Sequence, residues 1–300
     1  MAVLTVQNGR LSCRDCPAPA KLNLFLHVVG RRSDGYHLLE SVFQLIDFCD
    51  LLHFTCREDG EIRRLTPVEG VPETADLTVR AAQSLKKASW ERKRLSVPGV
   101  DIEIEKRIPS GSGLGGGSSD AATTLLTLNR LWGCRFSTEE LIGLGVGLGA
   151  DIPFFLFQQN AFVEGIGEKL TPVQTPAGWF VVIKPPVSVP TGLIFQSSEL
   201  TRNTEPITMK SYPDFCNSYI QVGRNDLQAV ASSLFPEIRN ALDDLGQYGD
   251  DRMTGSGACV FACFDTENEA DRVARALSNR WEVMVVRSLQ RHPFEYPGQV

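Results

Sequence analysis

Between Pro109 and Asp120 the chain reads P-S-G-S-G-L-G-G-G-S-S-D, a run with almost no side chain to hold a ligand away from the backbone. Placed between a strand and a helix, such a segment offers several free N–H groups and the positive end of the helix dipole, which together cradle a phosphate. The hydroxyls of Ser112, Ser118 and Ser119 add further donors. Two phosphate-binding patterns overlap the run. Gly111, Gly113 and Gly116 fit G-x-G-x-x-G, which in a dinucleotide fold wants an acidic residue about 20 positions on, at the end of a second strand. Glu139 and Glu140 have that spacing, but with Ser137 they form the capping box of a helix, so a nicotinamide dehydrogenase loses its confirming residue. Gly111 to Ser118 nearly fits G-x-x-x-x-G-K-[ST], with Gly117 where the lysine belongs. The cation that neutralises a transferred phosphoryl group must therefore come from elsewhere in the chain. No G-x-S-x-G elbow is present, which counts against an esterase.

Two charged residues stand out beside this loop. Lys21 lies on A-K-L-N-L-F-L-H-V-V (Ala20 to Val29), where Leu22, Leu24 and Leu26 alternate at the period of a half-buried strand. That spacing puts Lys21 on one face with Asn23, opposite the leucines. Read alone, it is an exposed-face lysine. Asp151, followed by Ile152-Pro153, is a carboxylate in an apolar, glycine-flanked setting, and read alone it is a helix cap or a turn residue. Tyr36 and His37 follow the turn Arg31 to Tyr36, broken by Asp34-Gly35, so both can project into a cleft. Read alone, the pair fits a surface turn as well as an aromatic plate and polar edge for a ligand ring.

The elements that must position these residues are legible in outline. Val100, Ile102 and Ile104 alternate with acidic residues in a strand that runs directly into the glycine loop. After the loop, Ala121, Leu125, Leu128 and Trp132 recur at helical spacing, which predicts a helix capped by Ser118 or Ser119 with Asp120 in its first turn. Ser137 with Glu140 opens a second short helix. Leu39 to Phe54 reads as strand material broken by acidic residues. Five prolines between Pro172 and Pro190 flank an apolar strand, Trp179 to Ile183, and mark a change of lobe. Beyond it, helices are expected over Leu227 to Leu234 and Glu267 to Leu277, and strands over Ala258 to Phe264 and Val283 to Val286. The whole is α+β in two lobes, which we divide at 1–170 and 171–300.

Bulk properties exclude several classes. Three hundred residues, 42% of them hydrophobic, can bury a sizeable core, so disordered and fibrous chains drop out. A net charge of -6 gives no general attraction to nucleic acid or anionic lipid, so an anionic substrate needs locally placed positive groups. The eight cysteines are scattered. Cys13 and Cys16 form a lone C-x-x-C with no second pair at zinc spacing, and Cys49, Cys56, Cys134, Cys216, Cys259 and Cys263 read as ordinary reduced thiols. His27, His37, His53 and His292 form no ligand-spaced pair. The N-terminal MAVLTVQNGR lacks a signal-peptide core and no window approaches a membrane span, so a cytoplasmic location is expected.

Three motifs in order then resemble a known superfamily, the kinases named for galactokinase, homoserine kinase, mevalonate kinase and phosphomevalonate kinase (GHMP kinases). Pro19 to Leu24 resembles its first motif, P-x-x-x-G-L-G-G-G-S-S-D-A-A at Pro109 to Ala122 its second, and Met253 to Cys259 its third. The resemblance implies a two-lobed GHMP kinase fold, with an N-terminal lobe like domain 2 of ribosomal protein S5 and a ferredoxin-like α/β C-terminal lobe. The finer pattern of P-A-K-L-N-L-F-L, R-R-S-D-G-Y-H and G-A-D-I-P-F-F is similar to the branch that uses ATP to phosphorylate the 2-hydroxyl of a CDP-linked methylerythritol, on the non-mevalonate route to isoprenoid precursors.

By that resemblance Asp151 is the general base, and Lys21 pairs with it and with the phosphoryl group, supplying the charge missing at Gly117. Asn23 bonds substrate, Tyr36 and Phe195 stack on cytosine, His37 bonds its edge, and Thr191 lies beside them. ATP contacts come from Pro109, Gly111, Gly113, Leu114, Gly115, Gly116, Gly117, Ser118 and Ser119. Gly255, Ser256 and Gly257 shape a turn facing the phosphates. Asn225-Asp226-Leu227 matches a family signature, although Asp226 reads equally well as a cap for the next helix. Ser110-Gly111-Ser112 departs from the small apolar residues common there, and the loop stays permissive. Mg2+ is expected with ATP, yet no D-x-D marks its ligands, which leaves Ser118 or Ser119 with water and phosphate. The expected partners are the small-molecule substrate and ATP, without nucleic acid or membrane, in a monomer or weak homodimer. A superfamily kinase acting on mevalonate or homoserine would have no use for Tyr36-His37, and a catalytically silent nucleotide sensor would not need both Lys21 and Asp151.

Overall fold

The computed structural model describes residues 3–7, 9–68, 70–207 and 223–294; Cys216 lies outside them. Two long antiparallel strands carry the architecture. After β1 (Val3–Gln7), β2 runs from Arg10 to Arg31 and β3 from His37 to Arg57, joined by a turn in which Gly35 adopts φ 94°. The acidic residues that seemed to break β3 do not interrupt it, because their charges find partners. Glu40 accepts the N–H of Ile207 at 2.7 Å, and the fully buried Asp50 accepts those of Arg107 and Ile108 at 2.6 and 2.8 Å.

β3 is the hub of the sheet. It pairs with β2 along one edge. On the other edge its C-terminal half pairs with β5 (Gly99–Glu105), which also takes the short β4 (Ile62–Arg64). Its N-terminal half pairs with β6 (Ala161–Gly165), followed by β7 (Lys169–Pro172). At Leu45 and Ile46 it also meets β11 (Glu282–Leu289), which continues the sheet through β8 (Trp179–Lys184), β10 (Val260–Phe264) and β9 (Asp251–Met253). One sheet of eleven described strands thus runs through both lobes.

The pairing of β2 with β3 shifts register at four places, and one of them breaks the strict alternation expected over Leu22, Leu24 and Leu26. Between Asn23 and Phe25 the register shifts by one residue, a β-bulge that leaves Leu24 without a partner on β3. Phe25 therefore joins Leu22 and Leu24 in the apolar cluster between the lobes, while Leu26 turns to the side of Lys21 and Asn23.

Four helices cover the N-terminal part of the sheet: α1 (Leu77–Lys93), α2 (Gly116–Leu131), α3 (Thr138–Val146) and α4 (Ile152–Phe157). The stripe Ala121, Leu125, Leu128 and Trp132 is buried as its spacing requires, and α3 opens with the Ser137–Glu140 capping box. The start of α2 differs from expectation. Gly115, at φ 77°, is its N-cap, and Gly116, Gly117, Ser118 and Ser119 are already helical, so neither serine caps it and Asp120 lies beyond the first turn. The glycines replace a side-chain cap because the loop must double back too tightly for one. The C-terminal lobe adds α5 (Thr191–Gln196), α6 (Gln228–Leu234), α7 (Pro236–Leu245) and α8 (Glu267–Leu277) over its strands. No described helix is long and apolar enough to cross a membrane.

The anchor of the glycine loop is the apolar face of α2. Leu125→Ala, at a fully buried position, should cost roughly 2–5 kcal/mol through lost transfer energy and the cavity left behind. A urea titration measures it; a loss below about 1 kcal/mol would mean the helix is not seated as described.

Candidate active site

A cavity of about 620 Å³ lies between the lobes, with the glycine loop along one wall. Lys21 lines it. The side chain is only 3% exposed, a costly place for an ammonium group unless it is paired. Its Nζ donates a short hydrogen bond to Asn23 Oδ1, lies 3.8 Å from Asp151 Oδ2, and stands 4.8 Å from the centre of the Phe43 ring. Burial lowers the lysine's pKa from its ordinary value, and the charge of Asp151 acts against that fall. The backbone N–H of Lys21 donates to Leu114 O at 3.0 Å, fixing β2 to the glycine loop.

Asp151 occupies the N-cap position of α4, the structural role that its local sequence suggested, but its side chain makes no capping bond. It turns instead toward Lys21 and stays one-third exposed to the cavity. Asn23 also lines the cavity. Its carbonyl oxygen accepts from Lys21 and from Thr254 Oγ1, and its amide donates to Ser41 Oγ at 3.0 Å, which leaves one amide hydrogen for a ligand.

The loop presents backbone rather than side chains. Gly116, Gly117 and Ser118 start α2, and the first intrahelical bond comes from Ser119 N to Gly115 O at 2.9 Å, so the three preceding N–H groups have no partner within the helix. Pro109, Gly111, Gly113, Gly115, Gly116, Gly117 and Ser118 all line the cavity. Leu114 and Ser119 do not: both are fully buried, and Ser119 faces the core. Ser112 spends its hydroxyl within the loop, donating to Pro109 O at 2.7 Å. Gly113 cannot be replaced without cost, because φ is 80° and a Cβ there would lie 2.2 Å from Thr254 O.

The C-terminal lobe closes the site through its glycine turn. Cys259 N donates to Ser112 O at 3.0 Å and Thr254 Oγ1 accepts the N–H of Asn23 at 3.0 Å, so turn, loop and β2 are tied together. Gly255, Ser256 and Gly257 all reach the cavity wall. Asn225 supports the turn from behind, donating to Met253 O at 2.7 Å and Gly255 O at 2.8 Å. Asp226 is not the cap of α6, whose N-cap is Leu227. It accepts the N–H of Val28 at 2.8 Å and so pins the lobe to β2.

At the other end, Thr191 and Phe195 on α5 line the cavity, and Thr191 Oγ1 is 2.8 Å from Ser256 Oγ. His37 is brought to Phe195, with ring centroids 5.0 Å apart. Neither His37 nor Tyr36 is on the cavity wall itself, and Tyr36 stands apart at 62% exposed.

Sequence reasoning passed over three features. Lys106 lies between the buried carboxylates of Asp50 and Asp120, a short contact to the first and 2.8 Å to the second. Burial would lower its pKa, but the two carboxylates outweigh that and raise it, while burial drives Asp120 well above the usual carboxylate range despite the lysine. Lys106 thus ties the root of α2 to β3, and it also lines the cavity. Its place just ahead of the loop was the only signal. Thr254 sat unweighed inside a motif already noticed. Arg202, whose Nε–H donates to His37 Nε2 at 3.1 Å, gave no signal at all.

Cys13 and Cys16 are buried core residues with Sγ atoms 3.3 Å apart, and among the described residues no cluster of three metal-ligating side chains occurs.

Comparison with known proteins adds to this geometry. The domain family described as GHMP kinases N terminal domain matches residues 76–159, and GHMP kinases C terminal matches residues 215–283. The chain is 56% identical over 289 residues to a 4-diphosphocytidyl-2-C-methyl-D-erythritol kinase of Janthinobacterium sp. (strain Marseille), covering 96% of this chain and 99% of that one. It is likewise 56% identical over 282 residues to the kinase of that name from Herminiimonas arsenicoxydans, covering 94% and 97%. Among solved structures, a 4-(cytidine 5'-diphospho)-2C-methyl-D-erythritol kinase superposes with a TM-score of 0.78 at 32% identity, over 91% of this chain and 98% of that one. A homoserine kinase from Cytophaga hutchinsonii superposes at 0.69 with 16% identity over 94% and 95%, which speaks to the fold.

The crowding at Gly113 makes a direct test. Gly113→Ala should weaken ATP binding at least about tenfold by titration calorimetry, while Gly143→Ala, where a Cβ meets nothing within 4 Å, leaves it unchanged. Equal affinity in the two variants would remove the backbone cradle from nucleotide binding.

Proposed function

The chain belongs to the 4-diphosphocytidyl-2-C-methyl-D-erythritol kinases of the GHMP kinase family, and from that premise we propose that it transfers the γ-phosphoryl group of ATP to the 2-hydroxyl of 4-diphosphocytidyl-2-C-methyl-D-erythritol, giving the 2-phosphate and ADP. The observation that carries the reading is the ion pair of Lys21 and Asp151, 3.8 Å apart on the cavity wall that faces the glycine loop.

Phosphoryl transfer asks a protein for positioning and charge stabilisation more than for covalent chemistry. Asp151, in contact with the cavity and not spent on capping α4, accepts the proton of the attacking hydroxyl. Lys21 keeps that carboxylate oriented and offers its positive charge to the phosphoryl group as it moves between oxygens. Asn23 holds the ammonium in place. The N–H groups at the start of α2 receive the other phosphates, with the helix dipole adding to their attraction. In this way an acidic protein binds two anionic substrates through local charge.

Magnesium fits the same wall as an ion that takes one or two protein oxygens and fills its shell with water and phosphate. Ser118, on that wall at the start of α2, would hold it, and it would neutralise charge on the phosphates. The cytidine end is assigned to Thr191, Phe195 and His37, with Tyr36 closing over the base from its exposed turn. The division at 170/171 belongs to this reading: cradle and base on the first lobe, Phe195 and the glycine turn on the second.

Asp151→Asn should lower kcat by roughly a thousandfold or more while ATP still binds; unchanged turnover would take Asp151 out of the mechanism. Assays with CDP-methylerythritol and mevalonate side by side should give product from the first only, and turnover of mevalonate alone would overturn the substrate assignment. The pH profile carries the sign of the Lys21 shift. The ammonium is the working form and its pKa is lowered, so kcat should fall on the alkaline side before the pH reaches the ordinary lysine range. A flat profile up to that range would exclude Lys21 as the charge that acts.

A further inference from the structure

Arg202 lies on the segment after α5, outside every motif so far described. Its guanidinium nonetheless joins the two parts of the assigned cytidine end. Nε–H donates to His37 Nε2 at 3.1 Å; Nη1 donates to Leu200 O at 3.0 Å, and Nη2 to Phe195 O at 3.1 Å and Ser197 O at 2.6 Å. One planar group thus grips the C-terminal end of α5, which carries Phe195, and the imidazole of His37, which packs against the Phe195 ring. Only an arginine has donors enough, held in one plane, to do both.

The bond to His37 has a chemical consequence. An arginine N–H is always a donor, so the nitrogen it meets must offer a lone pair. His37 Nε2 therefore carries no proton, and a neutral imidazole must then carry it on Nδ1. Among the described residues nothing bonds Nδ1, so an N–H donor stands free beside an aromatic ring that lines the cavity. Burial lowers the pKa of His37 first, and the charges of Arg202 and Arg31 lower it further, so the neutral form is the one present near neutrality. The pyrimidines differ at the atom such a donor would meet. N3 of cytosine is an unprotonated acceptor, whereas N3 of uracil bears a hydrogen. A fixed donor accepts the first and repels the second.

Resting on the cytidine reading of this end of the cavity, we infer that Arg202 is the positioning residue for base selection: by occupying His37 Nε2 it holds the imidazole as the Nδ1–H donor that meets cytosine N3, and by gripping α5 it sets Phe195 against the same base. It acts on binding and discrimination, 165 residues away in sequence from the histidine it controls.

The test combines kinetics with NMR. In wild-type protein carrying 15N-labelled histidine, His37 should show a protonated Nδ1 and an unprotonated Nε2 at neutral pH. Arg202→Met should raise KM for CDP-methylerythritol at least about tenfold, leave kcat nearly unchanged, and shrink the preference for that substrate over its uridine analogue by a similar factor. The opposite tautomer in the wild type, or a variant that keeps both KM and preference, overturns the inference. If Arg202→Met does not fold, Arg202→Lys, which cannot reach the imidazole and three carbonyls together, takes its place with the same expected losses. A wild-type enzyme that selects cytidine while the variants select it equally defeats the role of Arg202 alone. A wild type that uses both bases equally defeats the cytidine reading and this inference with it.

Discussion

An ammonium group buried almost completely between two lobes is the constraint around which this protein is organised. Lys21 cannot be desolvated without partners, and each partner comes from a different part of the chain. Asn23 is its neighbour on β2, Asp151 heads α4, Phe43 lies across on β3, and the loop before α2 accepts its backbone N–H. Meeting that one need brings a carboxylate, a cation and a phosphate cradle into a single cavity. A charge held in a poorly solvated site acts on a developing charge with little reorganisation, and that is what the proposed role of Lys21 draws on.

The second organising feature is how the lobes are joined. Many two-lobed enzymes meet across side chains alone, but here the sheet itself continues from β3 into β11. Around that seam backbone meets backbone where Cys259 N donates to Ser112 O, and the Asp226 carboxylate accepts the N–H of Val28. Backbone can approach backbone this closely only where no Cβ intervenes, which is why the loop and the turn are both built of glycine. Their glycines thus serve the joint between lobes as well as any ligand.

Charge near the loop is divided between structure and chemistry. Lys106 stands close to the cradle, yet two buried carboxylates claim it, and removing the lysine would leave both without their cation at the root of α2. Lys21 has one carboxylate, and that one is partly open to the cavity. The two lysines of one cavity wall thus differ in the number and burial of their carboxylate partners.

How much of this was legible in the chain follows from the range of the forces involved. Local order is written in local pattern: the stripe of α2, the capping box of α3, the alternation of β5 and the limits of α8 all rest on neighbours within a few residues. The three motifs went further, because their residue types are those that phosphate binding demands, and they pointed to the family before any geometry. What they left open was decided by contacts across long separations. Acidic residues in β3 looked like breaks because their partners, Ile207 and the Arg107–Ile108 backbone, lie far along the chain. A one-residue bulge moved Leu26 to the side of the site, and no periodicity announces a bulge. Asp151 at a helix start reads as a cap until its side chain is seen to turn away, and Asp226 reads as one until it is found bonded to Val28. Arg202 has no pattern around it, since its meaning lies in one imidazole and three carbonyls that only the folded chain assembles. Sequence by itself determined which groups the protein has and the short elements that carry them; tertiary structure decided which charges are buried and with whom, because desolvation and pairing exist only once distant segments have closed around them.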